Sequence, residues 1–209
     1  MLELKKLAEE FIEGDKRSFK TNFPGDDTVI EAINDTGAGR IELVRKWLIS
    51  YKVLHYYSLE DGRNIAEQVV KFADNRTKKD LDQDKDLVIQ EFSALGKLIL
   101  TVAPLAPKSG KPRELTSLTS KALWCCYPYD VPIFDNYTKR ALQVISRICG
   151  LKPEPSHSGY GAFVDVWFQV YDEIKPILGQ EKLSGFTYKV RVLDWLLWDL
   201  GQPSFETRK

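Results

Sequence analysis

Apolar residues recur along this chain at intervals of three and four, and two-residue alternation is scarce, so the pattern predicts helices almost throughout. Leu4, Leu7, Ala8, Phe11 and Ile12 mark a first helix. From Gly14 to Gly39 the chain is polar and bears glycine, with room for a short helix around Thr28–Ile33. Ile41, Val44, Leu48 and Tyr51 mark a second strong helix, and Ile65, Val69 and Phe72 a third. The run NRTKKDLDQDKD, Asn75 to Asp86, reads as a solvated loop or the wet start of a helix. Leu87 to Val102 forms a long helix, broken by the prolines and glycine of APLAPKSGKP. PEPSHSGYG is a further loop. Phe163, Val166, Trp167, Val170 and Ile174 then share one helical stripe. Val192, Leu193, Leu196, Leu197 and Leu200 share the last, stopped by Gly201 and Pro203. The expectation is an all-α protein of roughly seven to nine helices, without internal repeats. It is read as a single domain over 1–209, with two lobes at 1–104 and 105–209 as the variant.

Composition changes this picture little. Hydrophobic residues make up 43% of the 209 positions and charged residues 29%, the balance of an ordinary soluble globular protein. Net charge is zero, so the total advertises neither a nucleic-acid nor a membrane partner. The distribution is less even. From Leu105 to Lys152 stand Lys108, Lys111, Arg113, Lys121, Lys139, Arg140, Arg147 and Lys152, against only Glu114, Asp130 and Asp135. A basic segment on an otherwise acidic chain suits an anionic ligand.

Three cysteines, Cys125, Cys126 and Cys149, have no framework spacing and read as reduced thiols of a cytoplasmic protein. His55 and His157 stand far apart, so neither a metal site nor a cofactor is expected. The start MLELKKLAEEFIEG is an amphipathic helix rather than a signal peptide, and LILTVAPLA is too short to span a bilayer. No membrane partner is expected.

The candidate chemistry lies in LTSLTSKALWCCYPYDVPIFDNYTKRAL, Leu115 to Leu142. A lysine, Lys121, precedes an apolar helical run, and an aspartate, Asp135, opens the next helix behind Pro132 and Ile133. Taken alone, such a lysine is commonly solvated, and Asp135 is a ready N-cap. A lysine amine is a nucleophile only when neutral, so its pKa must fall by several units from about 10.4. Burial and the positive end of a helix both push it that way. Lys139 and Arg140, one turn beyond Asp135, can meet phosphates, although exposed helix charges are commoner. Tyr127, Tyr129, Phe134 and Tyr137 crowd the loop, as stacking surfaces for a flipped base or as loop-anchoring core. Trp124, Trp167, Trp195 and Trp198 lie in helical stripes, and at least three read as core anchors. Any of them, Trp124 included, can also stack on a base. Asp130 is a rival carboxylate that opens no helix.

This segment resembles the catalytic segment of the helix-hairpin-helix DNA glycosylases, particularly the 8-oxoguanine glycosylase branch. It is similar also to a set of bacterial glycosylase-like proteins that carry Ser-Lys, an aromatic-apolar run and Pro-Ile-aromatic-Asp. The family runs Leu-Pro-Gly-apolar-Gly-x-Lys through its hairpin, and Leu115, Leu118 and Lys121 fall at the matching positions. Ser117 and Thr119 stand where the family has glycines. The step from Lys121 to Asp135 is shorter than the family's by about one helical turn. The resemblance implies an all-α glycosylase-like fold with a degenerate hairpin and DNA as partner. It implies that Lys121 attacks the sugar C1′, expels the base and leaves a Schiff base, while Asp135 steadies the cationic sugar. Ser117, Thr119 and Ser120 would line the hairpin beside the DNA, with Lys139 and Arg140 on phosphates. The alternatives are a nucleic-acid or nucleotide binding module without chemistry, and a protein-interaction subunit. The segment is expected to show a turn at Thr116–Thr119, a helix from near Lys121 and another from Asp135.

Overall fold

The three-to-four spacing becomes helix in every segment where it is strong. A computed structural model of the chain describes residues 2–14, 25–55, 57–77, 80–103, 115–178 and 187–203. Its helices are α1 (Leu2–Gly14), α2 (Asp26–Asn34), α3 (Arg40–Ser50), α4 (Leu59–Asn75), α5 (Lys85–Leu100), α6 (Thr116–Cys126), α7 (Asn136–Cys149), α8 (Tyr160–Leu178) and α9 (Lys189–Leu200). Among the described residues there is no strand. The proline-rich break over 104–114, with Lys108, Lys111 and Arg113, lies outside them, as does the part of the polar stretch over 15–24.

Local chemistry sets several helix starts. Ser58 accepts from the Asp61 amide at α4, and Asp84 accepts from Asp86 and Leu87 at α5. Asp135 accepts from Tyr137 and Thr138 at α7. Each side chain satisfies amides that have no partner inside the helix. α7 ends where Gly150 takes a left-handed φ of 69°, a conformation that suits glycine.

The chain divides into two compact units, one from Phe23 to Val131 and one joining Met1–Asn22 to Pro132–Lys209. In the first, the central unit, α6 packs against α2, α3, α4 and α5. Its residues Leu118 to Cys126 are all buried, and such a helix must be enclosed on every side. Trp124 stacks on Trp47 at 5.4 Å and 9°. Trp47 in turn donates its indole N–H to Asp26 at 3.0 Å, which accounts for a carboxylate buried at the head of α2.

The charge run between α4 and α5 is a loop, but not a wholly solvated one. Leu81 is buried, and the carboxylate of Asp130 accepts from the amides of Leu81 (2.9 Å) and Gln83 (3.0 Å). A leucine in a charged run has somewhere apolar to go when a distant carboxylate takes up the backbone groups beside it.

In the second, terminal unit, α1 packs on α8, α7 packs on α9 and α8, and α8 packs on α9. Trp167 is fully buried between Phe168 and Tyr171, and Trp195 meets Phe11 edge-on. No helix among the described residues is long and apolar enough to cross a membrane.

Candidate functional site

Lys121 is the sixth residue of α6, because the helix begins five residues earlier than the sequence led us to expect. The supposed turn at Thr116–Thr119 is its first turn, closed by the Thr119 amide donating to the Leu115 carbonyl at 2.7 Å. Ser117 and Thr119 permit this early start, since neither supplies the conformational freedom of glycine and both accept a helical turn. The packing of α6 against α2, α3, α4 and α5 favours it. The field of a helix N-terminus fades within that first turn, and Lys121 stands beyond it.

That burial is nearly complete. Lys121 is 6% exposed, and its amine donates to the Ser117 hydroxyl, one turn back, at 2.8 Å. Thr119 and Ser120 are buried too, and the Ser120 hydroxyl donates to the Ser117 carbonyl at 3.1 Å. Trp124, one turn on, is enclosed against Trp47. Tyr127 is buried, its hydroxyl donating to Glu91 at 3.3 Å and its ring 5.5 Å beneath the Arg76 guanidinium. Burial, with the Glu91 carboxylate beside it, raises this phenol well above its usual range. Burial likewise pushes the Cys126 thiol up to about 12, so it is no thiolate nucleophile. All three cysteines are reduced thiols. Tyr129 is half exposed, and Asp130 is spent on the loop above, its carboxyl raised by burial.

Asp135 belongs to the terminal unit. Its Oδ1 accepts from the amides of Tyr137 (2.8 Å) and Thr138 (2.9 Å), and the residue stays partly open. Phe134 meets Phe163 edge-on at 5.0 Å, with the Lys139 amine 5.9 Å over its ring. Tyr137 meets Trp198 edge-on at 5.9 Å. Lys139 and Arg140 are exposed on α7. The candidates therefore form two sets. Lys121, Ser117, Thr119, Ser120, Trp124, Tyr127 and Tyr129 lie in the central unit, and Asp135, Phe134, Tyr137, Lys139 and Arg140 lie in the terminal unit.

Sequence reasoning missed Asp194. This buried residue of α9 accepts from the Ile133 amide at 3.2 Å and from the Trp167 indole at 3.0 Å. Burial pushes its carboxyl up to about 7, against the pull of Arg191. A signal was available, since Asp194 interrupts the apolar stripe of Val190, Leu193 and Leu197, where a carboxylate must find donors. The Asp165 carboxylate is buried in the same way, taking the Glu154 amide at 2.9 Å and His157 at 2.8 Å.

Elsewhere in the central unit an open cleft of about 280 Å³ runs beside α3 and the start of α4, lined by Arg45, Ile49, Leu54, His55 and Ser58 among others. None of the sequence candidates lines it. Among the described residues no group of three His, Cys, Asp or Glu is arranged to hold a metal ion. No protein-family model matches the chain, and neither does any curated protein or solved structure.

Proposed function

We propose that the protein is a DNA glycosylase- or lyase-like enzyme acting on a damaged or unpaired base through the Lys121 amine. Asp135 is its electrostatic partner, and Lys139 and Arg140 meet phosphates. The observation that carries this reading is the enclosure of Lys121, which is only 6% exposed. Removing an amine from water favours the neutral form, which is the nucleophile. Asp135 supports it from the other side of the sequence motif: its cap uses one carboxylate oxygen, Oδ1.

Borohydride trapping on abasic or oxidised-guanine DNA tests the reading. Wild-type protein is expected to form a covalent adduct, and Lys121→Ala to form none while still binding. Asp135→Asn retains the α7 cap, because asparagine caps as well as aspartate. It should nevertheless trap roughly a hundredfold more slowly, having lost the charge that faces the cationic sugar. A wild-type protein that traps nothing on any lesion, above or below neutral pH, removes the catalytic reading.

A second reading, a binding module without chemistry, is favoured by the first turn of α6. Thr119 and Ser120 are buried, and the Ser117 hydroxyl is engaged by Lys121. Binding would then fall to α7. If Lys139 and Arg140 meet two phosphates, log affinity for a short duplex should fall with log salt at a slope near −2, roughly tenfold between 50 and 200 mM. Reversing both charges should flatten that slope and weaken all sequences alike. Affinity indifferent to salt would point instead to a protein partner.

A further inference from the structure

We propose that Asp194, together with Tyr160, is the positioning device for Asp135, gripping from both ends the single peptide group that leads into it. The Tyr160 hydroxyl donates to the Pro132 carbonyl at 2.8 Å, and Asp194 Oδ2 accepts from the Ile133 amide at 3.2 Å. That carbonyl and that amide belong to the same peptide plane. No cis peptide bond is present among the described residues, so the two groups point in opposite directions. One grip comes from the first residue of α8, the other from the middle of α9. A plane held at one end can still rock; held at both, it cannot turn about the chain. The proline ring fixes φ just before it, which removes another freedom.

The aim is passed on over a short distance. Asp135 follows two residues after Ile133 in extended conformation, φ −147° and ψ 173°, and caps α7. Asp194 is itself held in place, because its Oδ1 takes the indole N–H of Trp167 from α8. The charged and titratable groups that face it are Arg191 on its own helix, Asp135 at the head of α7 and Tyr160 on α8. Its carboxyl, raised by burial to about 7, is ionised above neutrality and protonated below. An ionised acceptor holds an amide more tightly, so the grip on Ile133 tightens as pH rises through that value. The catalytic consequence rests on the reading of Asp135 as the partner of Lys121; the grip itself does not.

Asp194→Asn keeps the volume but turns one acceptor oxygen into a donor, so it cannot serve both Ile133 and Trp167. Tyr160→Phe removes only the other grip. Amide hydrogen exchange and ¹⁵N shifts of Ile133, Tyr137 and Thr138 read the device directly. In the wild-type protein the Ile133 amide should titrate with a midpoint near 7, and in Asp194→Asn it should not. Exchange at all three amides should rise in Asp194→Asn on the order of ten- to a hundredfold, the worth of a hydrogen bond to a charged group. Tyr160→Phe should quicken exchange while keeping the titration, and it decides the matter if Asp194→Asn does not fold. Trapping by the wild type should slow as pH falls through about 7, and Asp194→Asn should lose that inflection. Unchanged exchange at Tyr137 and Thr138 in both variants, or an Ile133 amide that does not titrate, overturns the proposal. Loosened amides in a protein whose wild type never traps DNA would leave the device standing and remove only the lysine chemistry.

Discussion

Gly201→Ala should lower the thermal midpoint of this protein sharply. Gly201 follows α9, and a Cβ there would overlap the carbonyl oxygen of Tyr137 and stand 2.9 Å from the Tyr137 Cα. Those atoms are backbone of α7, so no side chain can rotate away, and α7 and α9 must separate. Overpacking of this kind costs about 3 kcal/mol or more, or roughly 6–12 °C in a chain of this length. Gly96→Ala is the matched control. It lies inside α5, and its Cβ would meet only the Thr119 side chain at 3.6 Å, an ordinary contact. Alanine there should be neutral or stabilising by up to about 1 kcal/mol, since glycine weakens a helix interior. Thermal unfolding of the two variants side by side checks both signs. Equal midpoints would mean that α9 and α7 do not approach as described. Because Tyr137 lies just behind the Asp135 cap, the glycine variant should also loosen that cap.

Trp124→Ala is expected to destabilise by about 3–5 kcal/mol, the usual loss for a fully buried tryptophan, or roughly 6–20 °C. The indole is enclosed, stacked on Trp47, whose own N–H anchors Asp26. Truncation therefore empties the middle of the central unit and leaves the next ring unsupported. Trp124→Phe, which keeps a stacked ring, should retain much of the stability. The experiment also separates the two roles open to Trp124 from sequence. A residue that waits on the surface for a flipped base changes stability by less than about 0.5 kcal/mol when truncated. A midpoint unchanged in denaturant or heat would return Trp124 to the surface and to base stacking.

The candidate site was legible in part. Asp135 as the N-cap of α7 follows from a short polar residue ahead of a helical run, a relation that spans three residues. The enclosure of Lys121 was not legible, because the same LTSLTSKAL permits a hairpin turn or a helix begun early. What decided between them was the packing of α6 against four other helices, which rewards a longer buried cylinder. Among the proposed base-stacking residues, Trp124 and Tyr127 are buried, whereas Tyr129, Phe134 and Tyr137 keep exposed surface. Aromatic type alone carries no record of which face a ring will lie on.

By itself the sequence determined the all-helical character of the described chain and a few helix ends, such as the Asp135 cap of α7 and the stop of α9 at Gly201. Those depend on a 3.6-residue period and on caps, both of which act within a turn or two. The tertiary structure alone decided what the buried carboxylates do. Asp130 reaches amides 47 and 49 residues away, and Asp194 reaches one 61 residues away. Their burial is tolerable only because those distant donors arrive, and no local pattern encodes the meeting. It also decided that the stretch from Phe23 to Val131 forms one unit while the two ends of the chain share another. Periodicity specifies which face of a helix seeks burial, and only the assembled chain supplies the surface that buries it.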